Sequence, residues 1–157
     1  MNHKALTLAT AAISLTALAA CTNSDTGGTP FAPNTSNQKA DVQEAAQDFF
    51  DATMAGEYET AWEYFDHDLR QVWSQDTYVR VQKACNDTSL VITAVDPEMV
   101  SEKKATIGTE VFGIDGPRFT LVAEDGEWKF APTAENRANE DKTAGEIIRE
   151  YKAQGNC

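Results

Sequence analysis

Cys21, Cys85 and Cys157 are the thiols of this chain, and His67 is its histidine outside the first twenty residues. Asp66 and Asp68 flank that histidine, a grouping that could serve metal or acid–base chemistry. Zinc requires three or four ligands at suitable spacing, and the mature chain offers one imidazole and no paired free-thiol motif. Asp66-His67-Asp68 therefore reads as a solvated histidine at a helix end, held between carboxylates. A cysteine nucleophile needs a base within reach, and a lone histidine makes that arrangement unexpected. The sequence contains no phosphate-cradling glycine loop, nucleophile elbow or calcium loop. These residue types lead us to expect no catalytic residue, no metal and no cofactor.

The fate of the thiols depends on where the chain resides. Lys4 supplies a small positive region, and Ala5 to Leu18 is an uninterrupted run of apolar and small residues. A membrane-crossing helix needs about 20 apolar residues, so residues 1–20 read as a signal peptide. The junction Leu18-Ala19-Ala20-Cys21 resembles a bacterial lipobox. That resemblance implies that Cys21 takes a diacylglycerol thioether and becomes the mature N-terminus. The chain would then sit lipid-anchored on the extracytoplasmic face of the cell membrane. The alternative is ordinary cleavage near Ala20, with Cys21 a plain thiol. Two acyl chains suffice for stable anchoring, at about 0.8 kcal/mol per buried methylene.

Thr22 to Ala40 is rich in Thr, Asn, Ser, Gly and Pro and has no apolar period. With Cys21 it makes residues 21–40 a lipidated, flexible tether, whose root-mean-square reach is about 25 Å. The whole chain has 157 residues, room for one ordinary domain, with 13 basic against 25 acidic side chains. A net charge of −12 and a pI near 4.4 argue against nucleic acid, which recruits clustered Lys and Arg. Its partners are expected to be the membrane, through the anchor, and a small ligand or an envelope protein.

Helical patterning dominates from Asp41 to Cys85. Asp41 and Glu44 resemble a capping box, and Val42, Ala45, Ala46, Phe49, Phe50 and Thr53 follow the helical period up to Gly56. A second helix carries Tyr58, Ala61, Trp62 and Phe65 on one face. Leu69, Val72 and Trp73 suggest another short turn, and Ser74 or Asp76 could cap a helix with Tyr78, Val81 and Ala84 inward. The period then shortens to two. Ser89–Val95 reads as a strand closed by Asp96-Pro97, and Lys104–Ile114 as a longer one. Asp115-Gly116-Pro117 turns the chain into Arg118–Glu124. Asp125-Gly126 is a strong hairpin signal leading into Glu127–Ala131. A two-residue loop there pairs Ala123 with Trp128 and Leu121 with Phe130, so Phe119, Leu121, Trp128 and Phe130 share one face. Thr143 and Glu146 form a second capping-box pattern, opening a helix with Ile147, Ile148 and Tyr151 inward and Gly155 as its stop. Helices, then antiparallel strands, then a terminal helix mean an α+β fold.

The run Phe49-Phe50-x-Ala52-x-x-x-Gly56-x-Tyr58-x-x-Ala61-Trp62 is similar to the opening of nuclear transport factor 2-like domains. Glu124-Asp125-Gly126-Glu127-Trp128-Lys129-Phe130 resembles their closing hairpin. The resemblance covers Asp41 to Pro132 and implies N-terminal helices on a curved antiparallel sheet, forming a cone with a pocket at its open end. Residues 41–157 would then be this ketosteroid isomerase-like, cystatin-like cone with a C-terminal helical extension. In such a cone Tyr58, Trp62, Trp73 and Tyr78 are candidate pocket residues, with apolar bodies and polar tips suited to a small ligand. Plain core packing accounts for the same residues.

The fold implies no reaction, because it hosts enzymes and binders alike. Three readings follow. The leading one is a non-catalytic, lipid-anchored lipoprotein that binds a small ligand or an envelope partner. The others are an isomerase-like enzyme acting on a small apolar ligand, and a structural accessory with a filled cone.

In an exported chain, Cys85 and Cys157 are simplest read as a disulfide pinning the C-terminal helix to the helical layer. The alternative is two unrelated thiols, one buried and one frayed. Closing a loop of about 70 residues is worth on the order of 4 kcal/mol in the chain-entropy model. Glu110 decides between binder and enzyme. Pro117 has no N–H to donate, which favours a three-residue turn pairing Gly113 with Phe119 and Val111 with Leu121. That register sends Glu110 to solvent and leaves the cone without a general base.

Overall fold

From Thr35 to Ala55 the sequence contains neither glycine nor proline. In the computed structural model, which describes residues 35–157, helix α1 (Thr35–Met54) fills nearly all of that run. The residues read as signal peptide and tether, up to residue 34 and including Cys21, lie outside the described residues. α1 starts ahead of Asp41, so the last residues read as tether are helical and Asp41 is not a cap. Ser36, Asn37, Lys39 and Ala40 are exposed. No apolar period could mark them. Farther along, Val42, Ala46 and Phe50 form the buried stripe of α1, and Gly56, at φ +76°, lets the chain turn out of the helix.

Three short helices follow: α2 (Tyr58–Trp62), α3 (His67–Val72) and α4 (Gln75–Cys85). Asp66 caps α3 by accepting from Leu69 N–H at 2.7 Å, and Ser74 caps α4 by accepting from Thr77 N–H at 3.3 Å. α4 packs between α2 and α6 (Ala144–Gln154). That position buries Val79 with Tyr78 and Val81, whereas Ala84, expected inward, is exposed.

The sheet is antiparallel and five-stranded: β1 (Ile92–Ser101), β2 (Lys104–Val111), β3 (Ile114–Asp115), β4 (Phe119–Glu124) and β5 (Glu127–Phe130). Its order is β1-β2-β4-β5, with β3 paired to β2. The strand expected to close at Asp96-Pro97 instead runs through it. Val95 pairs with Gly108 and Glu98 with Thr106, so Asp96 and Pro97 together oppose Ile107 in a bulge. Asp96 takes φ +50° there, and Pro97, lacking an N–H, sits where the ladder asks for none. At the other end, Asp87 accepts from Ser89 N–H at 3.0 Å, a local turn that delays the strand to Ile92.

The long strand Lys104–Ile114 is also divided. Phe112 and Gly113, at φ +52° and +77°, make a two-residue turn that pairs Val111 with Ile114. An extra residue in Gly116-Pro117-Arg118 then shifts the register, so that Ala105 pairs with Leu121 and Ile107 with Phe119. Thr109 fixes this corner: its carbonyl accepts from Gly116 N–H at 2.7 Å and its hydroxyl donates to the Pro117 carbonyl at 2.8 Å. The expected pairing of Val111 with Leu121 is therefore replaced. Glu110 pairs with Thr93 and Asp115, and is half-buried rather than exposed. The last hairpin has the expected register, Leu121 opposite Phe130 and Ala123 opposite Trp128, around Asp125 and Gly126 at positive φ.

Both outer strands are covered over part of their length. α1 lies along β1, where Gln43 and Gln47 bond its backbone. On β5, Phe130 N–H donates to the Tyr64 carbonyl at 2.7 Å and its carbonyl accepts from Asp66 N–H at 3.0 Å. Beyond the sheet come α5 (Ala134–Ala138) and α6, the latter opened by the capping box of Thr143 and Glu146. Ile107, Leu121, Ile147, Val42 and Val81 are the largest fully buried side chains, joining sheet, α1, α4 and α6 in one core. Among the described residues no helix is long and apolar enough to cross a membrane.

Candidate functional site

Aromatic side chains from α1, the segments flanking α3, α4 and the β4–β5 hairpin converge at one place in the domain. Phe49 and Phe130 rings lie 4.4 Å apart, Phe50 and Phe119 5.9 Å, Phe65 and Tyr78 4.8 Å, and Trp73 and Tyr78 6.0 Å. The rings pack against one another and border an opening. A cavity of about 550 Å³ remains, lined by these rings together with Leu69, Met54 and Ile92. Its polar contributors include Thr53, Gln82 and Asn86 from the helices and Glu135, Asn136 and Tyr151 from the C-terminal segment. An apolar interior with a few polar groups is what holds a small, mostly apolar molecule in one orientation.

Of the four tyrosines and tryptophans singled out from the sequence, Trp73 and Tyr78 line this cavity; Tyr58 and Trp62 do not. Tyr58 is buried beneath α4, where its hydroxyl accepts from Asn86 Nδ2 at 3.3 Å. Trp62 donates its indole N–H to the Trp73 carbonyl at 2.8 Å and carries the Arg70 guanidinium 4.6 Å above its ring. Both do structural work: Tyr58 holds Asn86 at the end of α4, and Trp62 fixes the loop that presents Trp73. The phenylalanines were the missed half of the site. Phe119 and Phe130 already shared one face of the hairpin by register. The opposing faces of α1 that bring Phe49 and Phe50 to them are set by tertiary packing.

Two cavity residues carry buried polar atoms without a hydrogen-bond partner in the protein: Trp73 Nε1 and the Tyr78 hydroxyl. Burial pushes the Tyr78 hydroxyl up to about 12, an effect that nearby Thr53 moderates. Thr53 donates its own proton to the Phe49 carbonyl at 2.8 Å and makes no well-formed bond to Tyr78. At the polar side, Tyr151 donates to Glu135 Oε1 at 2.9 Å and accepts from Asn139 Nδ2 at 3.4 Å. Burial raises the Tyr151 hydroxyl well above the usual phenol range, and the Glu135 carboxylate adds to that rise.

Asp66, His67 and Asp68 are not among the lining residues, although Phe65 and Leu69 on either side of them are. The Asp66 carboxylate is buried and used as a helix cap. Burial raises its pKa, the Leu69 N–H opposes the rise, and Asp68 and Glu124 reinforce it. His67 is exposed, with its backbone N–H donating to Glu124 Oε2 at 3.0 Å. A separate depression of about 450 Å³ is lined by Asp41, Glu44, Asp48, Glu63 and Glu127 beside Tyr64 and Trp128. Its carboxylates stay solvated, which makes it a poorer trap for an organic ligand than the aromatic cavity.

Cys85, at the end of α4, and Cys157, at the chain terminus, form a disulfide with their Cα atoms 4.2 Å apart. No family model matches the chain, and no curated protein is significantly similar to it.

Proposed function

We propose that this chain is an extracytoplasmic lipoprotein, held to the cell membrane through acylated Cys21, whose domain binds a small apolar ligand without transforming it. The domain itself we read as a nuclear transport factor 2-like cone. The observation that carries the binding reading is the aromatic cavity of about 550 Å³ between α1, α4 and the hairpin. An open cavity supports a binder over a structural accessory with a filled cone. An isomerase-like mechanism asks for a free carboxylate base at the reacting atoms, beside any tyrosine of raised pKa such as Tyr78 or Tyr151. Glu110 is not part of the lining, and Glu135 is engaged with Tyr151. These placements favour binding over proton transfer.

The test is fluorescence titration of the purified protein with N-phenyl-1-naphthylamine, a neutral probe that brightens in apolar surroundings. Saturable binding is expected, weakened about tenfold by Phe119→Ala, which removes one aromatic wall. Absence of saturable binding, or binding indifferent to Phe119, rejects the cavity as a ligand site. For the anchor, Cys21→Ser is expected to abolish maturation or release the protein from membranes. A variant that still matures and partitions fully with membranes rejects it.

A further inference from the structure

The disulfide joins two segments that both line the cavity. Cys85 directly precedes Asn86 and ends the helix that carries Tyr78 and Gln82, while Cys157 ends the segment that carries Tyr151. The two halves of α6 are held differently. Ala144 and Ile147 anchor the first half in the core. After Tyr151 every residue is exposed, and Tyr151 itself is half-buried. That last turn is secured by the Tyr151 bonds to Glu135 and Asn139 and by the disulfide. Cys157 is exposed, so a small reductant has access to the bond.

We propose that Cys85–Cys157 is a redox latch on the cavity wall. Closed, it holds Tyr151 in the lining and slows ligand exchange. Opened, it frees the last turn of α6 while Ile147 keeps the rest of the helix docked. The opening reaction needs a dithiol reductant: two electrons and two protons convert the bond to two thiols, and the reductant closes its own disulfide. The latch rests on the cavity being a binding site, and the experiment separates the two claims.

The full protein, oxidised, is loaded with N-phenyl-1-naphthylamine, and probe dissociation is timed before and after dithiothreitol treatment, with bond cleavage verified by mass. Dissociation about tenfold faster after reduction, and restored on reoxidation, is the expected result. Cys157→Ser is expected to match the reduced protein; should that variant misfold, reduction of the folded protein is the parallel arm. Hydrogen exchange is expected to rise in residues 148–157 and to stay unchanged in β4 and β5. Equal dissociation rates in both redox states, or unchanged exchange at 148–157, overturn the latch alone. A protein that binds the probe in neither state overturns the latch and the cavity reading together.

Discussion

Gln47 treats Ala94 as a neighbouring strand would. Ala94 N–H donates to Gln47 Oε1 at 2.9 Å, and Gln47 Nε2 donates to the Ile92 carbonyl at 3.1 Å. One turn earlier on α1, Gln43 Nε2 donates to the Ala94 carbonyl at 3.0 Å. Two glutamines thus satisfy backbone groups that the outermost strand would otherwise leave without partners.

Gln47→Leu is expected to destabilise the fold by about 1–3 kcal/mol, the cost of leaving a buried backbone donor unpaired. Ala94 is fully buried, so water does not substitute. Urea denaturation of the variant against the parent measures the loss. A change within about 0.5 kcal/mol, ordinary for a surface substitution, would mean that the helix–strand bonds add nothing.

Gly116→Ala should damage the corner between β3 and β4. A Cβ on Gly116 would stand 2.5 Å from Thr109 Oγ1 and 3.3 Å from the Thr109 carbonyl. Thr109 is buried and its hydroxyl is bonded to Pro117, so it has nowhere to go. The expected cost is about 1–3 kcal/mol, as for other overpacked sites. Gly116→Ala with Thr109→Ala should recover part of it, a coupling readable in a double-mutant cycle.

Asp66→Asn keeps an α3 cap and removes a charge that burial disfavours. Because the folded carboxyl titrates above its unfolded value, protonation favours the native state. That advantage is complete below the unfolded value of about 3.9 and is lost as pH rises through the raised folded value. The neutral variant is therefore expected to exceed the parent in stability at pH 7, and the difference to shrink at pH 3. Asp66→Ala, which loses the cap, should be less stable than Asp66→Asn at both. Urea midpoints at the two pH values check all three statements.

Cys157→Ser removes a crosslink spanning a sequence separation of 72. A loop of that length corresponds to a loss of up to about 4 kcal/mol in the chain-entropy model. Denaturant titration of the variant should show this as a lowered midpoint. A midpoint equal to that of the oxidised parent would contradict it.

Apart from the start of α1 and the whole of α5, the helices and the last hairpin were legible because their signals are local. Asp125-Gly126 has the turn chemistry for positive φ, and the apolar period of the flanking strands agrees with it. Thr143 with Glu146 marks the start of α6 in the same way. The far ends of β1 and β2 were misread for a shared reason: each adopts left-handed backbone at a residue other than glycine. Asp96 hides a bulge behind a proline that reads as a strand end. Phe112, a residue of ordinary strand propensity, occupies the first position of a tight turn. The register of β2 on β4 followed from that misread turn. Trp73 and Tyr78 were named as candidates from residue type, and they line the cavity. Tyr58 and Trp62, of the same types, were not separable from them, because tertiary packing decides which rings meet the opening.

The bulges of β1 begin where the glutamine cover from α1 ends. Past Ala94, the strand meets Asp96-Pro97 and then a second irregularity between Met99 and Ser101. A foreign strand approaching this stretch would find a missing donor and uneven spacing in place of a continuous row. The far side of the sheet is occupied at Phe130 by the Tyr64–Asp66 segment. At these two stretches the sheet offers no continuous template for adding strands from another copy, which disfavours cross-β growth there.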